Sequence, residues 1–298
     1  MDSAISRMMN GVLNLNKPSG VTSRDVVNKV VRVVGRRVKV GHAGTLDPLA
    51  SGVLVVCLGS ATRLIEYVQR QTKTYRTVVL LGCHSDTLDA DGTITSVKEA
   101  RPAAIKAVRP AVATLVGTYL QRPPDYSALK VRGRRAYDLA RAGESVELDP
   151  RVVTIHAIEI LAYEWPRLEL EVVCEGGTYI RSIARDIGTL LMCGGIVEVL
   201  VRTRIGSFTI EDAVDPETLS AETIARAILP PIAALGQLPS AQLSEEQLAD
   251  VAKGRPVLLG LEISGEVALI APDGALAAIG EADPLSGRIA PRRVLIGG

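Results

Sequence analysis

The first regular pattern in the chain is a run of valines. Val26, Val27, Val30, Val31 and Val34 fall on one helical face, Thr22 with Asp25 three residues on makes a capping pair, and Gly35 supplies a stop. The spacing predicts a helix from Thr22 to Val34, held by packing because valine is a poor helix former. A second stripe, Ile180, Ile183, Ala184, Ile187, Leu190 and Leu191, predicts a helix over Thr178–Met192 ending at Gly194-Gly195. Arg181 and Arg185 stand one turn apart beside that stripe. Ile105, Val108, Val112 and Leu115 also have helical spacing, but Pro110 falls among them and is expected to break or kink the helix.

Shorter runs read as strands. Gly11–Asn16 ends at the turn signal Lys17-Pro18-Ser19-Gly20, and Val53–Leu58 is an apolar run suited to a buried strand. Tyr75–Gly82 is rich in β-branched residues. Val152–Tyr163 and Leu168–Cys174 form a strand pair, the second alternating Leu168, Leu170 and Val172 on one face. After Phe208 the character changes: Asp215-Pro216 opens a short helix and Leu229-Pro230-Pro231 breaks it. Ser244 and Gln247 cap a helix that runs to Ala252, with Gly254 as its stop, and short β-like pieces follow between glycine turns. Residues from about 236 onward therefore predict a small, mostly β appendage.

Composition narrows the classes. The 298 residues suggest about two domains. No apolar run approaches the ~20 residues a membrane span needs, and Met1–Asn10 has no apolar stretch of a signal peptide, so a cytoplasmic protein without a membrane partner is expected. Cys57, Cys83, Cys174 and Cys193 show no C-x-x-C spacing and read as buried, reduced thiols. His42, His84 and His156 are too scattered for a zinc site, and Asp86–Gly92 lacks the closing glutamate of a calcium loop, so no metal is expected. Net charge is only +1, but its distribution is uneven. Six basic residues lie between Arg24 and Lys39 and six between Arg122 and Arg141, whereas Glu211–Asp250 holds eight acids and only Arg226. That asymmetry is compatible with a phosphate-binding face, and equally with an ordinary solvated surface.

The common nucleotide-binding and hydrolase signatures are absent. What remains is the loop Gly41-His42-Ala43-Gly44-Thr45-Leu46-Asp47-Pro48-Leu49-Ala50-Ser51-Gly52. Its glycines permit close backbone approach, and Pro48 biases Asp47 toward an extended conformation. From the loop alone, an inert Asp-Pro turn and a projecting carboxylate both stand open.

This loop resembles the catalytic-aspartate loop of the TruB family, the bacterial tRNA pseudouridine-55 synthases. Other strings resemble the family in its order: Asn16–Ser23, Lys73-Thr74-Tyr75, Arg122–Lys130 with Gly133, Ala136 and Tyr137, Gly177–Asp186, and Leu200–Phe208. Together they cover roughly residues 11 to 210. The resemblance implies an α+β (mixed α/β) catalytic domain over 1–235 with a largely antiparallel sheet, followed by a PUA-like domain over 236–298. It implies isomerisation of a T-arm uridine to pseudouridine, without cofactor or obligate protein partner, on a flipped base. Asp47 matches the essential aspartate, Arg181 its partner, and Tyr75 the tyrosine that stacks on uracil. Tyr179 and Leu200 match base-pocket positions, and His42 the histidine that enters the T-loop. Lys17 and Lys130 are candidates either to contact RNA or to brace the loop. The family pattern has a second arginine where Val201 stands. Two other readings stay open here: a guide-dependent relative acting with protein partners, and an RNA-binding module without catalysis.

Overall fold

The computed structural model describes residues 9–127, 130–131, 134–135, 148–260 and 264–296. The chain opens with β1 (Gly11–Lys17), α1 (Ser23–Val34), β2 (Val40–His42) and β3 (Ser51–Leu58). Helix α1 carries the expected caps. The Thr22 hydroxyl accepts from the Asp25 amide, Asp25 accepts from the Thr22 amide, and the Gly35 amide donates to the Val31 carbonyl. A short helical stretch leads into α2 (Ile65–Arg70), then β4 (Lys73–Leu81) and the hairpin of β5 (Cys83–Ser85) and β6 (Ile94–Ser96). Next come α3 (Ile105–Ala113), β7 (Gly117–Gln121), the two-residue strands β8 (Lys130–Val131) and β9 (Arg134–Arg135), β10 (Arg151–Glu164) and β11 (Arg167–Cys174). Helix α4 (Ile180–Leu190), β12 (Gly195–Ile205), β13 (Phe208–Thr209) and α5 (Ala221–Ala227) close this part of the chain.

One mixed sheet organises these elements in the order β1-β3-β12-β4-β11-β10-β7, with β2 on β3 and β13 on β12. Its pairings are antiparallel except where β12 meets β3, at Val201 with Ser51 and Arg202 with Gly52. Gly52 is required at that crossing: its φ is +102°, and a Cβ there would lie 2.2 Å from the Arg202 carbonyl oxygen. The fold is the expected α+β type with a largely antiparallel sheet. β12, at the middle of the sheet, was not among the expected strands. Its charged residues Glu198, Arg202 and Arg204 interrupt the apolar pattern.

The unbroken run Val53–Leu58 is explained by burial on both faces of β3. Leu54, Val56 and Leu58 pack with Val26, Val27 and Val30 of α1, while Val53, Val55 and Cys57 face the opposite cluster. A third cluster joins Val79, Leu168, Leu170 and Val172 of the sheet to Ile183, Ala184 and Ile187 of α4 and Val108 and Val112 of α3. Of the break or kink expected at Pro110, the break does not occur, and α3 runs on to Ala113. Pro110 and Lys106 are both exposed, so the Lys106 carbonyl that loses its helical donor is left facing water. Helix α4 is shorter than its apolar stripe suggested, beginning at Ile180 and ending at Leu190.

The C-terminal part forms β14 (Ser240–Gln242), α6 (Glu245–Ala252), β15 (Val257–Leu258), β16 (Gly265–Ile270), β17 (Leu276–Asp283) and β18 (Arg288–Val294). The strands make a five-stranded sheet in the order β14-β16-β17-β18-β15. It does not sit apart. Ala268, Ile270, Leu276, Ile279 and Leu295 share one buried cluster with Val12, Val53, Val55, Tyr67 and Val68 of the first sheet and α2. All four cysteines are buried and unbridged, and burial pushes the Cys57 thiol up to about 12. Among the described residues, no helix is long and apolar enough to cross a membrane.

Candidate active site

The loop between β2 and β3 carries Asp47, and the turn after β1 holds it in place. The Lys17 ammonium donates to the carbonyls of Pro18 (3.0 Å), Val21 (2.6 Å) and Pro48 (3.4 Å). Ser23 Oγ donates to the Leu46 carbonyl at 3.0 Å and accepts from the Leu46 amide at 2.9 Å. The Gly20 amide reaches the Pro48 carbonyl at 2.8 Å, and Ser19 Oγ the Leu49 carbonyl at 2.8 Å. From the other side, buried Arg202 donates to the Val53 carbonyl (2.8 Å) and to the Gly44 carbonyl (3.1 Å). Asp47 is thus fixed by partners on both flanks of its own loop.

Its carboxylate meets Arg181, in the first turn of α4. Arg181 Nη2 lies 2.8 Å from Asp47 Oδ2 and donates to the Tyr126 carbonyl at 2.9 Å, while Nη1 donates to the Thr87 carbonyl at 2.8 Å and lies 3.5 Å from Asp89 Oδ2. One guanidinium therefore joins three loops. Its side chain is 6% exposed and that of Asp47 37%, so the cation is enclosed and the carboxylate opens toward solvent. Asp89 is buried, and desolvation raises its pKa against the pull of the Thr87 hydroxyl and Arg181.

Asp47 and Arg181 line a cleft of about 830 Å³ together with Leu46, Tyr75, Tyr179 and Leu200. Tyr75 stands on β4 opposite Arg202 of β12, and burial raises its phenol pKa, partly offset by the Arg202 charge. Tyr179 precedes α4 and is pinned by Gln121, which accepts from its amide (2.9 Å) and donates to its carbonyl (3.2 Å). Leu200 is buried in the cluster that packs on α4. Lys73 also lines the cleft, buried, and its ammonium caps the carbonyls of Gln69 and Gln71 at the end of α2. Burial lowers the pKa values of Lys17 and Lys73 to about 8 each, Asp47 opposing the first shift and Arg202 adding to the second.

The expected site residues divide accordingly. Asp47, Arg181, Tyr75, Tyr179 and Leu200 come together on one cleft. His42 ends β2, next to the cleft-lining Ala43, and does not itself line the cleft. Lys17, a candidate either to contact RNA or to brace the loop, is fully buried with its ammonium on three carbonyls, an arrangement that braces the Asp47 loop. Lys130 lies in β8, but its side chain falls outside the described residues, as does Tyr137. Val201 lies on the other face of the sheet beside Thr74 and Arg76, so an arginine there would not reach the cleft. Sequence reasoning missed Asp89, seen only as part of an acidic turn, and the roles of Lys73 and Arg202. The available signal for the latter was an arginine pair, Arg202 and Arg204, inside a segment of strand-forming residues.

A half-open carboxylate is fixed beside a buried guanidinium in a cleft that a buried phenol ring and a leucine also line. The chain belongs to the TruB family of pseudouridylate synthases, whose N-terminal domain model matches residues 31–180. Two C-terminal models follow, that of the tRNA pseudouridylate synthase B C-terminal domain over 181–234 and that of the pseudouridine synthase II TruB C-terminal region over 239–295. Relatives named tRNA pseudouridine synthase B include that of Dehalococcoides mccartyi, 44% identical across 87% of this chain and 86% of the relative. That of Thermobifida fusca is 41% identical across 92% and 95%. Among solved structures, a chain of a Cbf5-Nop10-Gar1 complex is similar with a TM-score of 0.74 at 26% identity, covering 98% of this chain and 87% of that one.

Proposed function

We propose that the protein isomerises uridine 55 in the T-loop of tRNA to pseudouridine, in the cytoplasm and without a cofactor. The observation that carries this reading is the 2.8 Å pair of Asp47 with buried Arg181 in the cleft that Tyr75, Tyr179 and Leu200 also line. Arg181 holds the Asp47 carboxylate in place at 2.8 Å, and that carboxylate serves as nucleophile or base. The target nucleotide leaves its stack to enter the cleft, and its base lies against Tyr75 and Leu200. The C1′–N1 bond breaks, the uracil turns, C5 bonds to C1′ and loses its proton, and N1 gains a proton, so substrate and product are isomers. His42, beside the cleft, is assigned to the T-loop, and Tyr179 to the base pocket. Identity above 40% to enzymes named for tRNA, against 26% to a chain from a multi-protein complex, favours action without a protein partner.

The test is pseudouridine mapping in an unmodified tRNA transcript with purified protein and no added cofactor or protein. Product at uridine 55 is expected, and product only at another uridine would refute the position. Asp47→Ala should abolish turnover with tRNA affinity retained. Turnover at the wild-type rate in that variant would remove Asp47 from the chemistry.

A further inference from the structure

The cleft has a wall that the catalytic strings do not explain. Helix α2 lines it through Glu66, Gln69 and Arg70, yet is only six residues long and has no side-chain cap at its start. So short a helix does not stand alone in water. Its supports come from the C-terminal sheet. The Tyr67 hydroxyl donates to Glu266 Oε1 (2.5 Å), and Arg70 Nη1 donates to Glu266 Oε2 (3.0 Å). Arg293 pairs with Glu66 and donates to the Arg63 carbonyl (2.7 Å), and Arg63 donates back to the Val294 carbonyl (2.5 Å). The guanidiniums of Arg70 and Arg293 each lie 5.3 Å from the centre of the Tyr67 ring, within cation–π reach.

The far end of α2 bears on the chemistry. Its Gln69 carbonyl and that of Gln71 hold the ammonium of Lys73, which lines the cleft two positions before Tyr75 on β4. Gly176 on the facing loop has no room for a side chain: a Cβ there would lie 2.4 Å from the Gln69 carbonyl oxygen and 3.2 Å from Lys73 Nζ. A displacement of α2 therefore moves Lys73 and the loop that leads into α4.

We infer that Glu266 and Arg293 of the C-terminal sheet are positioning residues for the catalytic cleft. They clamp α2 around Tyr67 and so set the place of Lys73 beside the strand that carries Tyr75. On this view the C-terminal sheet is part of the cleft's framework as well as any grip it has on RNA. The inference rests on the proposed isomerisation for its kinetic consequence, but not for the clamp itself.

The experiment uses the full chain with Glu266→Gln and Arg293→Gln, and Glu281→Gln as a control on an exposed position of the same sheet. Single-turnover pseudouridine formation, tRNA affinity, and amide hydrogen exchange over residues 63–73 are measured on each. The two clamp variants should lose about tenfold to a hundredfold in single-turnover rate, the scale of a small misplacement near the reacting groups. Their tRNA affinity should stay at the wild-type level, exchange over 63–73 should quicken, and the control should match wild type throughout. A wild-type rate in both clamp variants, or weakened tRNA binding with the rate intact, overturns the inference. Should the wild-type protein form no pseudouridine, the function reading fails, and exchange decides the clamp alone. Quickened exchange in Glu266→Gln then upholds it, and unchanged exchange overturns it.

Discussion

The wall of the cleft that carries Asp47 is tied on one flank to partners 23 to 31 positions away in sequence and on the other to Arg202, 158 positions from Gly44, while the wall formed by α2 is tied to partners 199 and 227 positions away. The first set is enclosed: Lys17 is 0% and Ser23 2% exposed, and their donors go to backbone groups. The second is open, with side-chain exposures of 61% at Arg70 and 35% at Glu266. Enclosed donors to backbone carbonyls are costly to remove and little affected by salt, because an abandoned buried acceptor has no water to replace its partner. Exposed ion pairs are individually weak and screened, so their effect on the cleft comes from acting together. Asp47 is thus on the stiff wall, and the adjustable wall holds its neighbours.

The largest break in this contrast is expected at Arg181, where the Asp47 wall joins α4. Arg181→Met leaves buried Asp89 without its cation and frees two carbonyls, a loss of about 3–5 kcal/mol in denaturant unfolding together with loss of turnover. Adding Asp89→Asn to that variant should recover part of the stability but none of the turnover. Full recovery of turnover would show that the Asp47–Arg181 pair is not needed.

Next is Lys17→Met, which removes the donor to three carbonyls and should cost about 1–3 kcal/mol in denaturant unfolding, with reduced turnover. Its pH dependence sharpens the point. Lys17 has its pKa lowered in the folded protein from 10.5 to about 8, so between those values the unfolded chain binds more protons than the native one. Its contribution to stability therefore rises as pH increases from about 8 toward 10.5, as burial of a charge is relieved. Lys73 contributes with the same sign over the same window. In melting curves across that range, Lys17→Met should show a flatter rise than wild type. Equal slopes would contradict the assignment.

The smallest effect is that of salt. Raising ionic strength should quicken hydrogen exchange over residues 63–73 by the equivalent of less than about 1 kcal/mol. Exchange over residues 44–50 should stay unchanged. A larger response in the Asp47 loop than in α2 would invert the comparison.

Local structure was legible where its causes are local. The caps of α1, the apolar stripe of α4 and the doubly buried run of β3 act between residues a few positions apart, and each element formed where its pattern lay. Asp47, Arg181 and Tyr75 were found through the resemblance of whole strings, because nothing in their immediate spacing distinguishes a reactive aspartate from a turn. Asp89 escaped notice because its turn is polar like any other, and its burial depends on packing near a helix about ninety residues later. Lys17 was ambiguous for the same reason, since a lysine after a strand reads as surface until the loop at Pro48 folds over it.

The sequence by itself determined the main helices, several strands, the helix caps and the family's order of motifs, because periodicity and capping are written into neighbouring residues. Only the tertiary structure decided that one guanidinium gathers three loops, that Lys17 is a brace, and that the C-terminal sheet shares a core with the first. Those facts depend on which distant segments return to the same place. Burial there turns ordinary polar side chains into obligatory hydrogen-bond partners.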